Sequence, residues 1–245
     1  MLSVRKARTF GRNAFSLVLL SALATTTGHA YEEGGYVYNH GEDRFVDNVY
    51  NFLKHFSYEQ YYWANHWQFD SSNNSYADAM DFAYYSGHGN NFYMGMGPGA
   101  SSPQSVDITT ACSTSNGGWG DNDLEFITFQ SCKVIPAPID RSDWASQWTG
   151  PGDCFQGLHM ALGYRTNSNS GNGISNNYGN RVANGQAVLS AWFAAVNDER
   201  AWWKGADYPG YASAVYYPPL KYDVYPSGAA DPPANHSWLG ITYQY

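Results

Sequence analysis

The chain has 245 residues, 43% of them hydrophobic and 17% aromatic, enough to bury a sizeable core and too apolar for a disordered polymer. Its formal charge of −8 excludes nucleic acid and anionic membranes as natural partners. Arg5, Lys6, Arg8 and Arg12 open the chain, and Ala14 to Ala24 is an apolar run too short to span a bilayer. Small residues follow at Gly28-His29-Ala30. This is the pattern of a secretory signal peptide over residues 1–30, removed after Ala30. No Cys lies near its end, so a lipid anchor is not expected. No later stretch is long and apolar enough for a membrane helix. What remains, 31–245, is one domain by size, and losing the four basic residues takes its charge to −12.

Gly34 to Tyr38 reads as a first strand. Asp43 to Phe56 reads as a helix capped by Asp43, with Phe45, Val49, Phe52, Leu53 and Phe56 at helical spacing. Tyr61 to Phe69, including His66, alternates as a second strand. Asp70 to Asn74 is a turn, and Tyr76 to Met80 one helical turn. Phe82 to Tyr85 is a short aromatic run that stops at Ser86-Gly87-His88-Gly89. Asn90 to Gly120 is Gly-, Ser- and Pro-rich and reads as a long loop, of the kind that walls a cleft. Asp121-Asn122-Asp123 reads as a turn, with calcium binding the alternative.

Phe126 to Phe129 is a second buried run, and it stops at Gln130-Ser131-Cys132. Pro136 and Pro138 exclude a helix over Val134 to Asp140. Arg141 to Trp148 reads as a short helix, and Met160 to Tyr164 as a third buried strand with His159 a structural residue before it. Asn167 to Gly179 reads as a polar loop. Arg181 to Asn197 is a helix carrying Val182, Val188, Leu189, Trp192, Phe193 and Val196 on one face. Tyr211 to Tyr217 is a last strand, and the tail from Pro218 is irregular. Alternating strands and helices of this kind form an α/β sandwich on a mostly parallel sheet.

Short runs of aromatic and β-branched residues are buried on both faces in such a sheet. Burying four such side chains stabilises by roughly 6–10 kcal/mol before entropy is counted. Sites form beyond the carboxyl ends of parallel strands. If the two runs are neighbours, His88 and Cys132 share a crevice, and an imidazole beside a thiol supplies nucleophilic catalysis. Taken singly, each has a plainer reading: Cys132 a small buried hydrophobe, His88 a turn residue. No His-Glu-x-x-His or Cys-x-x-Cys pattern exists, so neither a metal nor another cofactor is expected. Gly-x-Ser-x-Gly and Gly-rich phosphate loops are also absent.

The two apolar blocks, one ending in His88-Gly89 and one in Ser131-Cys132, resemble the signature of the caspase-like (clan CD) cysteine peptidases. That group contains caspases, legumain, gingipain, clostripain and separase. The 44 residues between His88 and Cys132 suit it. Gly157 to Tyr164, followed by Gly185 to Val196, also resembles a set of secreted bacterial proteins of unknown function with this core. The resemblance covers roughly residues 60 to 200. It implies a three-layer sandwich with helices on both faces and a peptide or protein substrate. Cys132 would be the nucleophile and His88 the base, with the N–H groups of Gly89 and Cys132 forming an oxyanion hole. No third catalytic residue is implied.

Three Cys leave one unpaired, and spacing alone does not fix which. The Gly/Ser/Asp-rich surroundings of Cys112 and Cys154 favour a bridge between them, leaving Cys132 free; a bridge through Cys132 is the competing reading. Two functions compete as well. One is a secreted cysteine peptidase or related hydrolase. The other is an inactive secreted binding module on the same fold, contacting protein or glycan through aromatic loops.

Overall fold

The computed structural model describes residues 31–40, 42–111, 118–149, 154–168, 171–202, 210–234 and 238–245. The expected signal peptide therefore lies outside the described residues. A seven-stranded sheet forms the centre. Its strands are β1 (Glu33–Val37), β2 (Glu59–Trp63), β3 (Phe82–Ser86), β7 (Phe126–Gln130), β8 (Met160–Tyr164), β9 (Ala212–Tyr216) and β10 (Gly240–Tyr243). Between β3 and β7 in the chain, β4 (Gly89–Asn90), β5 (Tyr93–Gly95) and β6 (Ser105–Asp107) make a small antiparallel sheet. The large sheet runs β10-β9-β8-β7-β3-β1-β2. β2, β1, β3, β7 and β8 are parallel, and β9 and β10 close one edge antiparallel. The fold is α/β on a mostly parallel sheet.

The long helices cover one face: α1 (Asp43–Leu53), α4 (Asn172–Ala183) and α5 (Val188–Trp202). Phe52 stacks on Tyr84 at 4.2 Å and on Tyr178 at 5.4 Å, fastening α1 and α4 to β3. The opposite face has a core of its own around Phe69, Tyr85, Trp119, Phe129 and Trp148. Its cover is the small sheet, 3₁₀ turns and two four-residue helices, α2 (Ile108–Ala111) and α3 (Ser146–Thr149).

Several boundaries differ from expectation. α1 ends at Leu53, and its N-cap is Glu42, not Asp43, with no side-chain capping bond. The second strand occupies 59–63, and His66 instead lies in a 3₁₀ turn, where its Nδ1 meets Asp70 at 3.0 Å. The expected loop over 90–120 contains the small sheet and α2. Residues 172–179, expected as loop, are helical in α4, which runs on to Ala183; the single helix expected over 181–197 is thus divided, and Asn184-Gly185, with Gly185 at φ +77°, turns the chain toward α5. The Asp121 to Asp123 turn lies against the buried Asp78 carboxylate, which accepts the N–H of Gly120 at 2.5 Å and of Leu124 at 3.3 Å. Among the described residues, no cluster of three or more His, Cys, Asp or Glu is arranged to hold a metal.

Candidate active site

β3 and β7 are hydrogen-bonded parallel neighbours with Ser86 opposite Gln130, so the chain leaves both strands at the same edge of the sheet. Side chains pin these ends. Asn48 of α1 donates to Ser86 Oγ at 3.1 Å. Tyr84 donates to Gln130 Oε1, and Gln130 Nε2 donates to the Gly171 carbonyl at 3.2 Å, at the start of α4.

Beyond β3 the backbone of His88 is held from one side, its carbonyl accepting from Gly95 N–H at 2.8 Å and from Tyr85 Oη at 3.0 Å. The ring stands edge-on to Tyr38 and Phe45, with centroids 4.9 and 5.1 Å away. Nε2 lies 3.1 Å from Glu42 Oε1, and half of the side chain is exposed. Slight burial opposes ionisation of Glu42, but hydrogen bonds from Arg44 and His88 outweigh it and hold the carboxyl below its ordinary value. With Glu42 as acceptor, the neutral ring carries its proton on Nε2, leaving Nδ1 as a lone-pair acceptor.

Beyond β7, Ser131 is buried and its Oγ has no partner among the described residues. Cys132 is a half-buried free thiol. Its sulfur accepts the N–H of Ser168 at 3.3 Å. Lys133 then adopts φ +57°, a left-handed conformation that costs a side-chain-bearing residue roughly 1–2 kcal/mol. Its N–H donates to Thr166 O at 2.9 Å, turning the chain away over β8. Backbone strain of this kind clusters at functional sites.

The two strand-end loops touch through Gly89. A Cβ there would lie 2.2 Å from Ser131 Oγ and 3.0 Å from the Cys132 carbonyl oxygen, so only glycine lets the loops approach this closely. Tyr164, on the next strand, has a buried hydroxyl with no partner among the described residues. Burial pushes its pKa well up, and the nearby Glu199 carboxyl and Cys132 thiol push it further. An open cavity of about 500 Å³ lies on this edge, lined by Lys133, Asp140, Arg165, Asn167 and Tyr211. Asp140 and Arg165 neutralise each other in a forked pair at 2.9 and 2.6 Å.

His88, Gly89 and Cys132 thus share one sheet edge. No hydrogen bond joins His88 to Cys132 among the described residues; the imidazole engages Glu42 and the sulfur engages Ser168. Cys112 lies outside the described residues, and Cys154 is buried at 2% exposure. His159 is fully buried, with Nδ1 2.7 Å from Asp223. Glu42 and Ser168 were not singled out from sequence. Glu42 had a signal available: it follows β1, the strand beside β3, at the carboxyl edge where sites form.

Over residues 22–215 the chain matches the model of the family described as Domain of unknown function (DUF6345), and it belongs to that family. No curated protein matches it by sequence. Among solved structures it is similar to a secreted C11 cysteine protease from Bacteroides thetaiotaomicron, "iotapain". Identity there is 10% and the TM-score 0.47, over 78% of this chain and 68% of that one. No described helix is long and apolar enough to cross a membrane.

Proposed function

We propose that the chain is a cysteine-type peptidase in which Cys132 attacks a peptide carbonyl and His88 is the general base. The observation that carries this reading is the contact of the two strand-end loops at Gly89, which sets the histidine loop against the Ser131-Cys132 backbone. Nδ1 of His88 takes the proton of the Cys132 thiol, and the sulfur adds to the scissile carbon. The N–H groups of Gly89 and Cys132 stabilise the oxyanion. His88 returns its proton to the leaving amine, the C–N bond breaks, and water then hydrolyses the thioester. Glu42 holds the ring in the tautomer this needs. The substrate is a peptide or protein. Residues 1–30 direct secretion, and a Cys112–Cys154 bridge leaves Cys132 free in an oxidising compartment.

One observation favours the binding-module reading: the thiol is bonded to Ser168 and not to the imidazole. Catalytic contacts often tighten only with substrate, so the peptidase reading keeps precedence. A peptide-library digest separates the two. Cleavage by the wild-type protein that vanishes in His88→Ala supports the peptidase. A library left intact under conditions that keep Cys132 reduced supports the binding module.

A further inference from the structure

The opposite edge of the sheet holds a cavity of about 390 Å³, within the size range of small-molecule sites. Glu33, the first residue of β1, lies at its inner end at 3% exposure. Tyr225 donates to Glu33 Oε1 at 2.6 Å, while Oε2 has no partner. No cation pairs with Glu33 among the described residues, although Asp81 and Glu125 lie close enough to act on the same Tyr225 hydroxyl. The walls are aromatic. Tyr225 meets Tyr31 edge-on at 6.0 Å and Phe56 at 5.7 Å, and Tyr58 lines the opening with half its surface exposed. The cavity also receives the carboxyl-terminal ends of two helices: His55 and Phe56 follow α1, and Ala183 is the last residue of α4. Such ends carry partial negative charge.

We propose that this cavity binds a small organic ammonium ion, its charge against Glu33 and its alkyl groups against the rings of Tyr31, Phe56, Tyr58 and Tyr225. A buried carboxyl oxygen with no donor, two helix carboxyl ends and π faces all favour a cation. Rings in place of further oxygen ligands select an organic cation over a hydrated metal. The remaining titratable group at the wall, His55, is engaged through Nε2 with Asn176 at 3.2 Å.

Calorimetric titration of the whole chain with choline at pH 8 tests the proposal, because burial pushes the Glu33 carboxyl up to about 7 and it is ionised there. Choline is expected to bind at least about tenfold tighter than its neutral isostere 3,3-dimethylbutan-1-ol, and Glu33→Gln to remove that preference. Tyr58→Ala, a change at the exposed rim, is expected to weaken choline about threefold or more and keeps the test decisive if the buried variant fails to fold. n-Butylammonium in a parallel titration tells a lysine-like amine from a methylated one by which binds tighter. Equal affinity for choline and the isostere, or affinity unchanged in both variants, overturns the proposal.

Discussion

The two edges of the central sheet follow opposite electrostatic plans. At the carboxyl edge the carboxylates have partners: Glu42 accepts from His88 and Arg44, and Asp140 pairs with Arg165. The amino termini of α1 and α4 point there, and positive dipole ends suit an anion such as a thiolate. At the amino edge Glu33, Asp81 and Glu125 crowd around Tyr225. Burial, helped by neighbouring carboxylates, pushes them up to about 7, 6 and 9. α1 and α4 begin at the carboxyl edge and end at the amino edge; α5, the antiparallel return from α4, starts at the amino edge, where Val188 N–H donates to Asp223 O at 2.9 Å. The proposed catalytic edge and the acidic edge are thus separate, and substitutions at one are expected to leave the other intact.

The largest effect is expected at Cys132. Cys132→Ala removes all peptide turnover while stability in thermal melts moves by no more than about 1–2 kcal/mol, because only a sulfur is lost at a strand end. Gly89→Val comes next. Its side chain enters the Ser131-Cys132 backbone, so turnover falls at least about 100-fold. Melting also shows roughly 1–3 kcal/mol of destabilisation from overpacking. Glu42→Ala is milder: kcat drops about tenfold with KM and melting temperature held, as the ring loses its orienting acceptor.

The smallest effect lies at the amino edge and is one of stability. Glu125 has a folded pKa raised from 4.5 to about 9, so the folded state binds more protons than the unfolded state across that window. Its contribution to stability therefore falls as pH rises from about 4.5 to about 9. Glu125→Gln is expected to be neutral near pH 4 and to stabilise by about 1 kcal/mol or more at pH 8. Denaturant titrations at the two pH values check it, and peptide turnover should not change.

Strand legibility followed burial. β8 spans the Met160 to Tyr164 expected, and β3 and β7 begin where their aromatic runs begin, because strands buried on both faces have no competing pattern. β2 lies next to solvent at the sheet edge, so its half-exposed residues gave a weak signal that was read too far along the chain. α4 was hidden by composition. Asn172, Gly173, Asn176, Asn177, Gly179 and Asn180 disfavour a helix, and only Ile174, Tyr178 and Val182 mark its buried stripe. Tertiary contact supplies the rest: a Cβ on Gly179 would lie 2.6 Å from the Phe52 carbonyl oxygen, so glycine permits α4 to press against α1. β10 and the small sheet are short strands in Gly-, Ser- and Pro-rich surroundings, where pairing partners decide the conformation. At the carboxyl edge, the placement of His88 and Cys132 just beyond two neighbouring strands was legible from the abrupt ends of the two apolar runs. Glu42 and Ser168 were not, since their roles come from β1 and the β8–α4 connection arriving at the same edge.

Covalent labelling decides between thiol as nucleophile and thiol as packing. The whole chain, with Cys132 reduced, is treated with a peptidyl acyloxymethyl ketone at pH 7 and mapped by mass spectrometry, folded and unfolded in parallel. The expected result is one adduct on Cys132, formed faster in the folded protein than in the unfolded control and lost in His88→Ala. A Cys132 that stays unmodified in the folded state, or reacts at the same rate with and without His88, contradicts the peptidase assignment.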